Sequence, residues 1–372
     1  MNTPWDDDRR ARAALSACIE PGNWKFARLI AEHGAPDVWQ SLLSRPDETT
    51  WTRRAHALDQ KALLVRAEGL RLRFLVPGDD EWPTGLDDLA HVNRNELGGT
   101  PLGLWAVGPL HARDALLDSV AIVGSRASTT YGEQVSSDLG AELATAGMTI
   151  VSGGAYGIDA AAHRGALAVQ GATIAFLARG LDAWYPRGNS SLLDRIAENG
   201  LVLSEIAPGL HPTKAAFLAR NRLIAASSRG SVIVEAAHRS GALNTMAWAK
   251  DLGRKAMAVP GPIHSANSLG PHAQIRDNAT LVTGSQDIRT ELAPMQPDLP
   301  FDDSPTRPTD GLEGDLLAVR EALPSPGSAE VADLVEQTGL RWPAVLGALA
   351  TLEVRGLARL RPDGRWALAR PD

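Results

Sequence analysis

The sequence contains a single cysteine, Cys18, among its 372 residues. It can therefore form neither an intramolecular disulfide nor a zinc site built from several cysteines. No run of about 18 apolar residues occurs, which excludes a membrane-spanning helix. The first ten residues, MNTPWDDDRR, are polar and lack the apolar segment of a signal peptide. We therefore expect a soluble cytoplasmic protein.

Two nucleotide-binding fingerprints are also missing. No G-x-G-x-x-G follows the first buried strand, and no G-x-x-x-x-G-K-[ST] occurs in the chain. Their absence disfavours a dinucleotide-dependent oxidoreductase and a P-loop ATPase. We predict no bound cofactor and no metal site.

The net charge of −7 is unevenly distributed along the chain. Residues 1–119 have a net charge of −4, residues 120–289 of +3, and residues 290–372 of −6. Phosphate binding requires a local cluster of basic residues and does not require a positive net charge of the whole protein. Residues 120–289 are therefore the candidate phosphate-binding segment.

The middle segment alternates short apolar strands with helices, most of which end at a glycine. Strands are predicted at Val120–Val123, Thr149–Val151, Thr173–Leu177, Leu201–Leu203, Ser231–Val234, Ala256–Val259 and Thr280–Val282. Helices are predicted between them at Tyr131–Ala146, Ile158–Val169, Ser190–Glu198, Ala215–Ala226 and Leu243–Leu252. This pattern is typical of an α/β fold with a parallel sheet covered on both faces.

The flanking segments differ in kind. Apolar residues recur at helical spacing within residues 10–70, which predicts a small module of short helices. Residues 291–311 are rich in proline and aspartate and read as a linker. Three predicted helices and a hairpin follow, the outline of a winged helix. The predicted domains are a helical domain at 1–75, a Rossmann-like domain at 76–290, and a winged helix at 312–372.

Small and polar residues follow the predicted strands. Gly124, Ser125 and Arg126 follow the first, the loop Ser152–Gly153–Gly154 follows the second, and Glu235 follows a later one. Ligands of open parallel sheets bind at the carboxyl ends of the strands, where glycine lets backbone N–H groups approach an anion. The alternative is that these turns need glycine for their geometry alone. Glu235 is equally open to a role as a base, as a ribose ligand, or as an acceptor for loop amides.

A second basic group lies in the predicted helix that starts near Ala215. Arg220 and Arg222 flank Asn221, and Lys214 precedes them. Two guanidinium groups in the first turns of a helix form an anion site, although a solvated helix face explains the same spacing.

Taken together, these segments resemble the DNA-processing protein A family (DprA, also called Smf). The resemblance is carried by short motifs in the family's order: Ile122–Arg126, Tyr131–Gly132, Val151–Asp159, Gly180–Asp182, Tyr185–Pro186, Leu203–Glu205, Arg220–Ala225, Val234–Ala237 and Ala258–Gly261. It covers residues 70–290 closely and the flanking domains in outline.

The resemblance implies a non-enzymatic protein that binds single-stranded DNA, forms a homodimer, and loads the RecA recombinase while easing removal of single-strand-binding protein. It implies a DNA pocket lined by Gly124–Arg126, Ser152–Gly154 and Arg220–Arg222. It likens the N-terminal helices to a SAM-like domain and the C-terminal unit to a winged helix. Tyr156 stands where many members carry arginine, so we expect one phosphate contact either to be missing or to be replaced by base stacking.

An enzyme remains the alternative function. The fold resemblance extends loosely to phosphoribohydrolases, which release a base from a nucleoside monophosphate with a cleft glutamate and arginine. Their Pro-Gly-Gly-x-Gly-Thr motif is absent here, since Arg229–Gly230–Ser231 precedes the strand that ends at Glu235.

Overall fold

A computed structural model describes residues 5–293 and 311–369. These residues form two compact units that divide near residue 294, and each unit is described by itself. Most of the predicted linker, residues 294–310, lies outside the described residues.

The first unit begins with five short helices. They are α1 (Asp7–Cys18), α2 (Trp24–His33), α3 (Ala35–Ser44), α4 (Thr50–Ala57) and α5 (Gln60–Gly69). The side chains of Asp6, Asn23, Thr49 and Asp59 each accept a hydrogen bond from the first turn of the helix that follows. These caps satisfy N–H groups that lack partners within a helix, so the helices begin where the sequence places such residues.

A nine-stranded sheet forms the centre of this unit. Its strands are β1 (Arg73–Leu75), β4 (Leu104–Val107), β5 (Ser119–Val123), β6 (Thr149–Ser152), β7 (Thr173–Leu177), β8 (Leu201–Ser204), β9 (Gly230–Ile233), β10 (Lys255–Ala258) and β11 (Thr280–Leu281), with a separate hairpin of β2 (Asn93–Arg94) and β3 (Leu97–Gly98). The strand order is β1-β4-β8-β7-β6-β5-β9-β10-β11. Strands β5 to β11 run parallel, whereas β1 and β4 add an antiparallel edge.

Helices cover both faces of the sheet. They are α6 (Ala112–Leu117), α7 (Thr130–Thr145), α8 (Ile158–Ala168), α9 (Ser190–Asn199), α10 (Lys214–Ala226), α11 (Ala242–Asp251), α12 (Leu269–Arg276) and α13 (Ser285–Leu292). Alternate residues of β5 point to opposite faces, so Val120 and Ile122 pack with α7 and α8 while Ala121 and Val123 pack with α10 and α11. The predicted mixed α/β fold with a parallel sheet is confirmed. The antiparallel pairing of β1 and β4 was not predicted, because it joins segments far apart in the chain.

The strand order reverses between β5 and β9. From β5 the chain proceeds to β6, β7 and β8 on one side, and then returns to β9, β10 and β11 on the other. Such a reversal leaves a crevice at the carboxyl ends of the two neighbouring strands, because their connections diverge to opposite sides.

The second unit contains three helices and a two-stranded hairpin. The elements are α14 (Gly314–Ala322), α15 (Val331–Thr338), α16 (Trp342–Val354), β12 (Ala358–Leu360) and β13 (Trp366–Leu368). Its core is formed by residues such as Val319, Leu334 and Leu349. The assignment of this unit as a winged helix remains a prediction. No helix within the two described ranges is long and apolar enough to cross a membrane.

Candidate functional site

The crevice between β5 and β9 holds a cavity of about 510 Å³. Four segments line it: the turn after β5, the connection from β6 into α8, the middle of α10, and the segment from β9 into α11. The lining includes Gly124, Ser125, Arg126, Asp159, Phe217, Arg220, Asn221, Arg239, Ser240 and Gly241. The structure thus brings the first glycine turn and the Arg220–Asn221 pair into one cavity.

The turn after β5 is fixed by backbone contacts to the end of β9. The Ser125 amide donates to the Glu235 carbonyl oxygen at 2.6 Å. A Cβ at Gly124 would lie 2.6 Å from Ile158 and 2.8 Å from that same carbonyl oxygen, so glycine is required for this close approach. The turn is therefore rigid where it meets the cavity.

Arg220 is a buried cation that forms no ion pair with any carboxylate of the described residues. Its side chain is almost wholly enclosed, and Nη1 donates to the Phe176 carbonyl oxygen at 2.8 Å. Its Nε has no hydrogen-bond partner among residues 5–293 and 311–369. No carboxylate oxygen of the described residues lies within 4.0 Å of its guanidinium nitrogens. Burial lowers the pKa of Arg220 to about 10, while the charge of Asp159 offsets part of the shift. The side chain remains charged at neutral pH, and an anion entering the cavity would stabilise it.

Asp159 organises the second glycine loop from the first turn of α8. One of its carboxylate oxygens accepts from the amides of Gly153 at 3.2 Å and Ala155 at 3.4 Å. Burial raises the pKa of this carboxyl group, and the charge of Arg220 partly opposes the shift. Gly153 packs against Arg220 so closely that a Cβ would overlap the guanidinium group. The loop and Arg220 therefore hold each other in place.

Two further cavity residues were missed by the sequence analysis. Phe217 precedes Arg220 by one turn of α10, and the Arg126 guanidinium carbon lies 4.8 Å from the centre of its ring. Arg239 lines the cavity from the loop after β9 and is exposed. Loop residues carry no periodic signal, so only the fold could bring Arg239 here.

Arg222 does not face the cavity. It is completely buried, and its Nη2 donates to both carboxylate oxygens of Glu205 at 2.6 and 2.7 Å. Successive helical residues are rotated by about 100°, so two residues two positions apart point to nearly opposite sides of α10. The structure therefore separates Arg222 from Arg220.

Glu235 is also turned away from the cavity. Its carboxylate accepts from the Thr129 amide at 2.9 Å and from the Thr129 hydroxyl at 2.6 Å, and its side chain is buried. Of the three roles that the sequence left open for Glu235 (a base, a ribose ligand, or an acceptor for loop amides), the observed contacts correspond to the acceptor for loop amides. The arrangement leaves no free carboxylate of Glu235 for a base-releasing reaction.

The remaining predicted residues lie around the cavity. Ser152 is buried and donates to the Ile122 carbonyl oxygen at 2.6 Å, and Gly154 has a φ of +67° that favours glycine. Asn221 donates to the Gly241 carbonyl oxygen at 3.1 Å, which holds the loop after β9. Lys214 and Tyr156 are exposed, and neither they nor Ser152, Gly153 and Gly154 belong to the cavity lining.

Basic side chains at the two edges of the sheet differ in their pairing. At the amino ends of the strands, Arg229 pairs with Asp118, Arg254 with Asp88, and Lys255 with Glu291, while Arg113 forms no ion pair with the described residues. At the carboxyl ends, Arg126, Arg179, Arg187 and Arg239 have no carboxylate oxygen of residues 5–293 or 311–369 within 4.0 Å. The carboxyl edge therefore presents more positive charge that no carboxylate of the described residues neutralises.

No three His, Cys, Asp or Glu side chains of the described residues come together as metal ligands. A switch-point crevice with glycine turns, together with a buried arginine that forms no ion pair within the described residues, is an arrangement by which Rossmann-like folds can hold an anionic ligand.

Comparisons with known proteins give the family. The model of the family "DNA recombination-mediator protein A" matches residues 73–293. A putative DNA processing protein DprA of Mycobacterium tuberculosis is 42% identical over 380 aligned residues, which cover 98% of this chain and 95% of that relative. The chain belongs to the DNA recombination-mediator protein A family, which confirms the resemblance. This family consists of DNA-processing proteins and is not a known enzyme family.

Two solved structures support the assignment. The X-ray structure of DNA processing protein A from Streptococcus pneumoniae shares 32% identity, with a TM-score of 0.62, and covers 78% of this chain and 99% of that one. The Helicobacter pylori protein, reported for its single-stranded DNA binding mode, shares 31% identity with a TM-score of 0.51, covering 59% of this chain and 95% of that one.

Proposed function

We propose that the protein binds single-stranded DNA along the carboxyl edge of its sheet, with phosphates held by Arg126, Arg220 and Arg239. The observation that carries this proposal is that Arg220 is buried beside a solvent-accessible cavity and has no carboxylate partner in the part of the chain that the structure describes. A buried charge is costly unless it is paired, and a phosphate oxygen is the partner that a guanidinium group binds best. The described binding of single-stranded DNA by the H. pylori relative agrees with this.

The aromatic ring of Phe217 would favour binding of single-stranded over double-stranded DNA. Its half-buried ring lies within the cavity lining, next to Arg126. Bases of a single strand are free to stack on aromatic rings, whereas duplex bases already stack on each other. Phosphate contacts alone do not discriminate between the two, so the aromatic face supplies the discrimination.

The downstream role is loading of RecA onto the bound strand in transformation and recombination, with easier removal of single-strand-binding protein. Membership in a family of recombination mediators supports this role, and we propose that the protein acts as a homodimer. Exposed apolar residues suited to a dimer interface lie on consecutive elements at one edge of the sheet, Ile263, Leu269 and Leu281.

The C-terminal unit fits a protein contact better than a DNA contact. Helix α16 exposes Trp342, Leu346 and Val354 and contains no lysine or arginine, while Arg341 and Arg355 flank its two ends. A DNA-reading helix requires basic or polar residues facing the groove.

Binding is tested by fluorescence anisotropy with a labelled oligonucleotide, single-stranded or annealed to its complement. We expect tighter, salt-sensitive binding of the single strand. Equal affinity for both forms would contradict the proposed discrimination. RecA strand exchange on a strand coated with single-strand-binding protein then tests the downstream role, and we expect stimulation by the protein.

A further inference from the structure

Two exposed tyrosines lie at the carboxyl edge of the sheet, outside the cavity. The exposed fractions are 40% for Tyr185 and 47% for Tyr156. We propose that their rings form a second subsite, where bases stack after the strand leaves the cavity and where Arg187 contacts the phosphate backbone. This proposal rests on the proposed binding of single-stranded DNA and assigns that DNA a longer path.

The aromatic surface continues from the cavity to this subsite. The ring of Tyr185 lies 5.8 Å from that of Phe217, centre to centre, and the two planes are tilted by 52°. Phe217 lines the cavity, and the Arg126 guanidinium group lies over its ring. A DNA strand whose phosphate binds Arg126 would therefore contact the ring of Tyr185 next, after the ring of Phe217.

Tyr156 is held in place by the loop that carries Tyr185. Its hydroxyl accepts from the Gly188 amide at 3.2 Å, and a Cβ at Gly188 would lie 2.6 Å from the same hydroxyl. Asn189 donates to the carbonyl oxygens of Gly154 and Ala155, both at 3.0 Å. The two segments are thus fixed to each other, and a preformed stacking surface loses little entropy when a base binds.

The loop also carries unneutralised charge. The Arg187 side chain is exposed and makes no ion pair or side-chain hydrogen bond with the described residues. Arg179, which follows β7, has an Nε without a hydrogen-bond partner and likewise no carboxylate partner within the described ranges. Positive charge next to exposed aromatic rings is the combination that single-strand grooves use.

The test uses the full-length protein and an oligothymidylate of about 16 nucleotides, the upper end of the usual site sizes. Single 2-aminopurine bases are placed at successive positions, because stacking quenches their fluorescence. We expect the double variant Tyr156→Ala/Tyr185→Ala to bind at least about tenfold more weakly, since the loss of one stacked base alone accounts for most of that factor. Quenching should be lost at positions beyond the cavity and retained at those within it. Phenylalanine at both positions should keep the quenching.

Tyr131 provides a matched control, because it is 43% exposed and its hydroxyl donates to the carbonyl oxygen of Pro260, which follows β10 on the other side of the switch point from β7. Tyr131→Ala should leave affinity and quenching unchanged. Unchanged quenching in the double variant, or quenching lost uniformly along the strand, overturns the second subsite. If the wild-type protein fails to bind the strand at all, the proposed function itself fails.

Discussion

Arg222 and Glu205 form an ion pair that is closed to solvent, with both carboxylate oxygens accepting from one guanidinium nitrogen. Glu205 directly follows β8 and Arg222 lies on α10, so the pair fastens this helix to the sheet. Gly22, between α1 and α2, stands against the same guanidinium group, and a Cβ there would lie 2.8 Å from its Nε. The ion pair therefore packs three segments of the first unit together: the end of β8, helix α10, and the turn between α1 and α2.

Replacement of Arg222 should affect stability more than DNA binding. Arg222→Ala leaves Glu205 buried without its partner, and such a change costs about 3–5 kcal/mol in the free energy of unfolding. Urea denaturation measures this loss. Arg126→Ala, at an exposed position, should change the free energy of unfolding by no more than about 0.5 kcal/mol. A stable Arg222→Ala protein that fails to bind DNA would instead support the sequence-based role of Arg222 as a phosphate ligand.

Gly153 should be essential for the position of Arg220. In Gly153→Ala the added Cβ overlaps the guanidinium group, which must move away from the cavity. We expect affinity for single-stranded DNA to fall by about tenfold, because one charge-assisted contact is lost. Gly284→Ala is the control, since no atom lies within 4 Å of its Cβ position and its backbone is extended. Equal affinities of the two variants would argue against a role for Arg220.

Arg220 should contribute to the salt dependence of binding. Each phosphate neutralised on a single strand adds about 0.7 to the slope of log affinity against log salt concentration. Arg220→Gln should reduce the slope by about that amount, measured by anisotropy titrations over a range of salt concentrations. If the variant has the wild-type slope with a uniformly lower affinity, Arg220 supports the cavity without touching phosphate.

His163 should make stability depend on pH. Burial, with the charges of Arg220 and Arg164, lowers the pKa of His163 to about 3. Thr173 Oγ1 donates to the Ile150 carbonyl oxygen, so it accepts from His163 Nδ1 at 2.7 Å, and the ring is neutral. The unfolded chain binds a proton near pH 6.5, so stability is lost as pH falls from 6.5 towards 3.

The slope in this interval is at most about 1.4 kcal/mol per pH unit. The comparison is between wild type and His163→Leu, which cannot titrate at this position. The difference between their free energies of unfolding should change with pH below 6.5. Parallel curves between pH 4 and 6.5 would show that His163 is not buried in the neutral form.

The sequence was sufficient for the parallel strands of the sheet, because they are short apolar runs and most of the helices between them end at glycine. The resemblance to the family implied that Gly124, Ser125 and Arg126 share a pocket with Arg220, and the structure brings these four residues into one cavity. The separation of Arg220 from Arg222 follows from helical periodicity, which the spacing of two already contains.

Other features depend on long-range packing. The direction of the Glu235 carboxylate is set by Thr129, more than 100 residues away in the chain. The pairing of β1 with β4 and the entry of Arg239 into the cavity likewise bring together segments without a local signal. These contacts decide which predicted residues can reach a ligand, and neighbouring residues in the sequence do not reveal them.

The central claim is that unpaired cations at the carboxyl edge bind the strand, and charge-matched variants test it most directly. Arg126→Ala/Arg239→Ala removes two exposed charges at this edge, and Arg113→Ala/Lys255→Ala removes two at the amino edge. Affinity for one labelled single strand is measured by anisotropy at a fixed salt concentration. We expect a loss of at least about tenfold for the first variant and less than about twofold for the second, because direct contacts outweigh net charge. Equal losses for the two variants would contradict a binding site at the carboxyl edge.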